Sequence, residues 1–139
     1  MIRRSRKVAL NASILVAVFA GTLMAAISGC SGQTGVVLEA KDEGRQIELQ
    51  KGQILTINLE GNPTTGYTWE LVESEDAIVR QVGEAEFKAD SDLVGAGGVQ
   101  TLRFEAVREG QMELTLVYHR PWETDVEPLE TFAVQVTAK

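Results

Sequence analysis

The chain has 139 residues, a formal net charge of −7 and one cysteine. Its 44% apolar and 24% charged residues are the composition of a globular chain rather than a disordered tail, and its length suits one domain rather than two. One Cys excludes an internal disulfide framework, one Cys with one His excludes the usual zinc clusters, and the acidic balance argues against a nucleic-acid partner, so neither metal nor cofactor is expected.

The first segment differs from all that follows. Arg3, Arg4, Arg6 and Lys7 give a positive start, Val8 to Ile27 is an uncharged and mostly apolar run, and the small residues Ser28 and Gly29 precede Cys30. A positive region, an apolar region and a small-residue cleavage region make an export signal. The run is also about long enough to span a bilayer, so length alone leaves a transmembrane anchor open. Ile27-Ser28-Gly29-Cys30 resembles a bacterial lipobox. The resemblance implies cleavage before Cys30 and a diacylglyceryl group on its thiol. Residues 1–29 would be the signal peptide and 30–35 a lipidated tether. The location implied is the bacterial cell envelope, at the outer membrane in a bacterium with two. Each buried methylene of the acyl chains would contribute about 0.8 kcal/mol to the anchor. Without residues 1–29, 110 residues remain with nine Lys and Arg against 20 Asp and Glu, a net charge of −11.

From Val36 onward the apolar residues recur with period two rather than 3.6. Strands are predicted over 36–40, 46–49, 53–60, 66–72, 77–88, 98–107, 111–120 and 130–138. Leu55, Ile57 and Leu59 form one apolar face, as do Leu102, Phe104 and Ala106, then Met112, Leu114, Leu116 and Tyr118, then Phe132, Val134 and Val136. Turn residues punctuate the runs at Asp42-Glu43-Gly44, Lys51-Gly52, Asn62-Pro63, Gly95 to Gly98 and Glu109-Gly110. The expectation is an all-β, immunoglobulin-like antiparallel sandwich of about eight strands without a disulfide. Trp69, mid-strand, is expected in its core.

Three connections lack this periodicity and carry unusual residues: Gly61 to Tyr67, Leu93 to Gly98, and Tyr118 to Glu123. They are the third, fifth and seventh links between the eight runs. In an up-and-down antiparallel arrangement, alternate links lie at one end, so the three are expected to form one edge. Pro63 and Pro121 restrict their loops, Thr64 and Thr65 put small hydroxyls at a narrow tip, and Gly95, Gly97 and Gly98 allow close backbone approach. Arg120 and Trp122 are residue types that dominate binding hot spots. Such an edge suits a cleft in another protein.

Asn62-Pro63-Thr64-Thr65-Gly66-Tyr67, Gly95-Ala96-Gly97-Gly98 and Arg120-Pro121-Trp122 resemble, in order, the three loop motifs of the chagasin family, inhibitors of papain-like cysteine peptidases. The resemblance covers residues 36–139 and implies an immunoglobulin-like sandwich that binds the active-site cleft reversibly and tightly. It implies that Thr64 meets the catalytic Cys and His of the target. Arg120 and Trp122 would lie on the primed side, and Gly95 to Gly98 on the non-primed side near the pocket that selects side chains.

An enzyme is the weaker alternative. His119 is the one His, and Ser74 and Ser91 lack a nucleophile-elbow context. Asp90 with Asp92, and Glu84 with Glu86, read as charged strand faces rather than a glycosidase pair. A further alternative is an envelope lipoprotein whose loop edge binds a partner other than a peptidase. A monomer is the default expectation.

Overall fold

The structure, a computed structural model, describes residues 34–139. The export signal, Cys30 and the first part of the tether lie outside the described residues. Period two in the sequence becomes nine strands: β1 (Val36–Glu39), β2 (Gln46–Leu49), β3 (Ile54–Gly61), β4 (Thr68–Leu71), β5 (Val79–Gln81), β6 (Glu86–Ala89), β7 (Gly98–Ala106), β8 (Gly110–His119) and β9 (Glu130–Ala138). They form two sheets. The first runs β1-β3-β7-β5, with β6 also paired to β7, and the second runs β2-β9-β8-β4.

The inward faces are those that alternation assigns. Leu55, Ile57 and Leu59 of β3 and Leu102, Phe104 and Ala106 of β7 pack against Leu114, Leu116 and Tyr118 of β8 and Phe132, Val134 and Val136 of β9. All are buried, and each fully buried Leu, Ile, Val or Phe contributes about 1.5–3 kcal/mol. Trp69 joins this core as expected, whereas Met112 is only partly buried. Among the described residues the core spans Leu38 to Ala138, and they form a compact unit of their own.

Two features depart from the sequence expectation. The run 77–88 is two strands rather than one. β5 pairs with the C-terminal part of β7 and β6 with its N-terminal part, on the same side. Between them Gly83 adopts φ +71°, a left-handed conformation that breaks the extended backbone. Nor is the topology up-and-down throughout. β1 runs parallel to β3 and β2 runs parallel to β9. Parallel neighbours need a crossover, and β2, lying in the opposite sheet, supplies it between β1 and β3.

Candidate functional site

The antiparallel registers decide where the loops go. Gly61 at the end of β3 faces Gly98 at the start of β7, and Ala89 at the end of β6 faces the same Gly98. Thr68 at the start of β4 faces His119 at the end of β8, and Tyr118 faces Glu130 at the start of β9. The connections 62–67, 90–97 and 120–129 therefore leave from one end of the sandwich. Their convergence matches the expectation, but pairing about β7 and β8 brings it about, not a simple count of alternating strands.

The first loop is a wedge built on its own hydrogen bonds. Pro63–Thr65 form one 3-10 turn, where the fixed φ of Pro63 suits the first position. Asn62 caps it: its Oδ1 accepts from the Thr64 N–H at 3.2 Å and from the Thr64 hydroxyl. The Thr65 hydroxyl donates to the Asn62 carbonyl at 2.6 Å. Gly66 closes the turn at φ +83°, its N–H donating to the Pro63 carbonyl at 2.9 Å.

Hydrogen bonds join the three loops. The Asn62 side-chain Nδ2 donates to the Gly95 carbonyl at 3.0 Å. Arg120 Nε donates to the Thr65 carbonyl at 3.1 Å, and its guanidinium lies 4.6 Å from the Tyr67 ring centroid. Its Nη1 also reaches Glu123 at 3.3 Å. The Trp122 ring lies over Gly66, where any Cβ would overlap it. Thus Asn62, Tyr67 and Arg120, three of the candidate contact residues, spend polar or ring surface on holding the edge together. Trp122 remains 67% exposed, with Leu93 and Val94 also exposed on the neighbouring loop. Gly98 answers to a different need: a Cβ there would run into the backbone of Lys88 and Ala89 in β6. Pro63, Thr64, Thr65, Ala96 and Pro121 complete the edge, and Gly97 accepts from the Asp90 N–H at 3.0 Å.

Beneath the loops lie side chains whose role the motifs do not signal. Tyr118 Oη accepts from the Asn62 N–H at 2.8 Å, and its ring lies tilted against Trp69 at 5.1 Å and Tyr67 at 5.3 Å between centroids. Trp69 Nε1 donates to the Glu60 carbonyl at 2.8 Å. Gln100, buried on the inward face of β7, bonds the backbone of Trp69 on β4. The signal for Gln100 was present in the sequence: stepping back by two from Leu102 reaches a polar residue at an inward position.

The acidic pairs are surface features, as expected. Glu86 takes two bonds from Arg103, at 2.7 and 3.2 Å, and that guanidinium holds its carboxyl below the ordinary range. Asp90 and Asp92 lie beyond β6 in the loop, not on a strand face. His119 ends β8 with Nε2 at 2.7 Å from Glu70. A cleft of about 680 Å³ opens on the flank between β4 and the β5–β6 edge, away from the loop tips. A surface that enters another protein's cleft is convex, so a cavity elsewhere does not compete with it.

Residues 48–136 match the family described as "Chagasin family peptidase inhibitor I42". The chain belongs to that family. Its members are peptidase inhibitors and not enzymes, which agrees with a site built of turns, an exposed Trp and backbone groups. The chain is 33% identical over 96 residues to Amoebiasin-1 of Entamoeba histolytica, covering 67% of this chain and 89% of that one. It is 31% identical over 99 residues to Chagasin of Trypanosoma cruzi, covering 68% and 90%. The crystal structure of a cysteine protease inhibitor from Entamoeba histolytica superposes with a TM-score of 0.64 at 25% identity, covering 75% of this chain and 95% of that one. The chagasin-like sandwich thus accounts for both sheets.

Proposed function

We propose that this chagasin-family protein inhibits papain-like cysteine peptidases by seating its loop edge in their active-site cleft. The observation that carries the reading is the set of bonds from Asn62 to Gly95 and from Arg120 to Thr65, which makes three loops one preformed convex surface. A partner that binds it loses little loop entropy on association.

The mechanism follows from what such a peptidase needs. Its thiolate attacks a carbonyl held in line with an oxyanion hole. The wedge tip offers a compact 3-10 turn instead of an extended strand, so the backbone near Thr64 is not laid out as a substrate would be. The Thr64 and Thr65 hydroxyls are already engaged within the turn, and Gly66 is locked against Pro63. Distorting this turn toward a cleavable pose would break those bonds. The wedge therefore fills the site and is not cut. Trp122 and the 93–98 loop extend the contact to either side, Trp122 on the primed side and Gly95 to Gly98 on the non-primed side.

The test is an inhibition titration of residues 31–139 against papain and a cathepsin-L-like enzyme, with a fluorogenic peptide as reporter. Stoichiometric and reversible loss of activity is expected, and a folded domain that inhibits neither would refute the reading. We also propose that the protein is held at a membrane through lipid on Cys30. This rests on the Ile27-Ser28-Gly29-Cys30 pattern and the positive start of the chain. Mass spectrometry of the mature N-terminus after expression in a bacterium should show an acylated Cys30, and an unmodified or uncleaved one would overturn it.

A further inference from the structure

The three loops do not hang from one sheet. The wedge crosses from β3 in the first sheet to β4 in the second. The 90–97 loop joins β6 and β7 of the first sheet, while the 120–129 loop joins β8 and β9 of the second. Their mutual placement therefore depends on the offset between the sheets. Apolar packing between two sheets is non-directional and fixes such an offset loosely. Directional bonds fix it tightly.

Gln100 supplies two of those bonds, beside the one from Trp69 Nε1 to the Glu60 carbonyl and the one from the Asn62 N–H to Tyr118 Oη. The Gln100 side chain is 5% exposed and points from β7 across the sandwich. Its Oε1 accepts from the Trp69 N–H at 3.0 Å and its Nε2 donates to the Trp69 carbonyl at 3.0 Å. Thr68 Oγ1 lies 3.0 Å from the same Nε2. Trp69 thus bonds Gln100 as it would bond a neighbouring strand: one amide meets both its backbone groups. β4 is the edge of its sheet, so without Gln100 those two groups would have no strand to pair with. Trp69 also lies two residues after the wedge connection 62–67, and Gln100 two residues after Gly98. The clamp therefore sits at the roots of both loops.

We propose that Gln100 is a positioning residue of the inhibitory edge: by clamping β4 to β7 it sets the offset of the two sheets and hence the spacing of wedge, 93–98 loop and Trp122. The proposal rests on the inhibitor reading above for its functional consequence, but its structural half stands apart from it. Gln100 touches no partner, and its effect passes through Trp69 and Thr68.

Gln100→Met keeps the volume and removes both bonds. Val136→Ala, in the core at the end of the sandwich away from the loops, is the control for lost stability alone. Inhibition of papain is measured well below the melting temperature of every variant, where each is folded. If the competent arrangement falls to about a tenth of the population, the inhibition constant of Gln100→Met rises about tenfold while that of Val136→Ala stays at the wild-type value. In the free proteins, the backbone amide resonances of Thr64, Gly66 and Gly97 should shift in Gln100→Met and not in Val136→Ala. Should Gln100→Met not fold, Gln100→Glu, which keeps the acceptor and drops the donor, is read by the same two measurements. A wild-type inhibition constant, unmoved loop amides, or an equal loss in Val136→Ala would each overturn the proposal. If the wild-type domain fails to inhibit, the inhibitor reading falls alone, and the amide resonances of the free variants still decide whether Gln100 holds the loops.

Discussion

Replacing Trp122 with alanine removes the largest uncovered aromatic surface on the loop edge. Trp122 is 67% exposed, and a Trp buries about 150–250 Å² when fully covered, so about 100–170 Å² of it is available to a partner. At about 25 cal/mol per Å² that surface corresponds to about 2.5–4 kcal/mol. Ordering of the side chain and the residual Ala contact reduce the figure, leaving an expected loss of about 2–3 kcal/mol, or about 30–150-fold in the inhibition constant. The ring lies over Gly66 and is mostly exposed, so the fold should hardly notice the change. The assay is a titration of papain at fixed substrate, with a thermal melt of the same sample as control. An inhibition constant within about threefold of wild type, with the melt unchanged, would place Trp122 outside the interface and refute the reasoning.

Other substitutions separate motif residues that shape the edge from those that touch a partner. Gly66→Ala forces a Cβ into a left-handed backbone and into the Trp122 ring; stability should fall by about 1–2 kcal/mol and inhibition at least about tenfold. Unchanged inhibition in that variant would show that the seat of Trp122 does not matter. Gly98→Ala must push β6 away from β7, which at about 1–3 kcal/mol should show as a lower denaturation midpoint, and a midpoint equal to wild type would contradict the packing described. Asp42 accepts from the Glu39 N–H and the Arg45 guanidinium, which hold its carboxyl below the ordinary 3.8. Because the folded form has the lower pKa, its stabilisation is complete above about pH 5 and is lost as pH falls below about 4. Urea midpoints should therefore drop more steeply below about pH 4 in wild type than in Asp42→Asn, and equal slopes would count against the assignment.

Much of this was legible in the residues because a two-layer sandwich writes its core in alternation. Leu55, Ile57 and Leu59, or Phe132, Val134 and Val136, announce which face is inward before any partner strand is known. Alternation carries no direction, however. Nothing in Val36–Glu39 says that this strand lies parallel to β3, because that follows from the chain passing through the other sheet in between. The break at Gly83 was hidden for a similar reason: a glycine within an apolar run is compatible with a strand, and only its φ of +71° makes it a break. The three loop motifs stood out by composition, yet composition could not show that Asn62, Tyr67 and Arg120 bond chiefly to their own neighbours. Tyr118 looked like one more apolar position of β8, and its hydroxyl finds Asn62 only once β3 and β8 face each other across the core.

The parallel pairing of β1 with β3 also decides which way the domain faces. Val36 lies opposite Leu55, near the start of β3, while the wedge leaves from the other end of that strand at Gly61. β9 likewise begins beside the loops at Glu130 and finishes opposite Gly110 at Ala138. The chain thus joins and leaves the sandwich at the pole remote from the loops, one β3 length away, about 25 Å for eight residues. The outer ends of the first and last strands therefore stay clear of the loop edge, which is left open to whatever approaches.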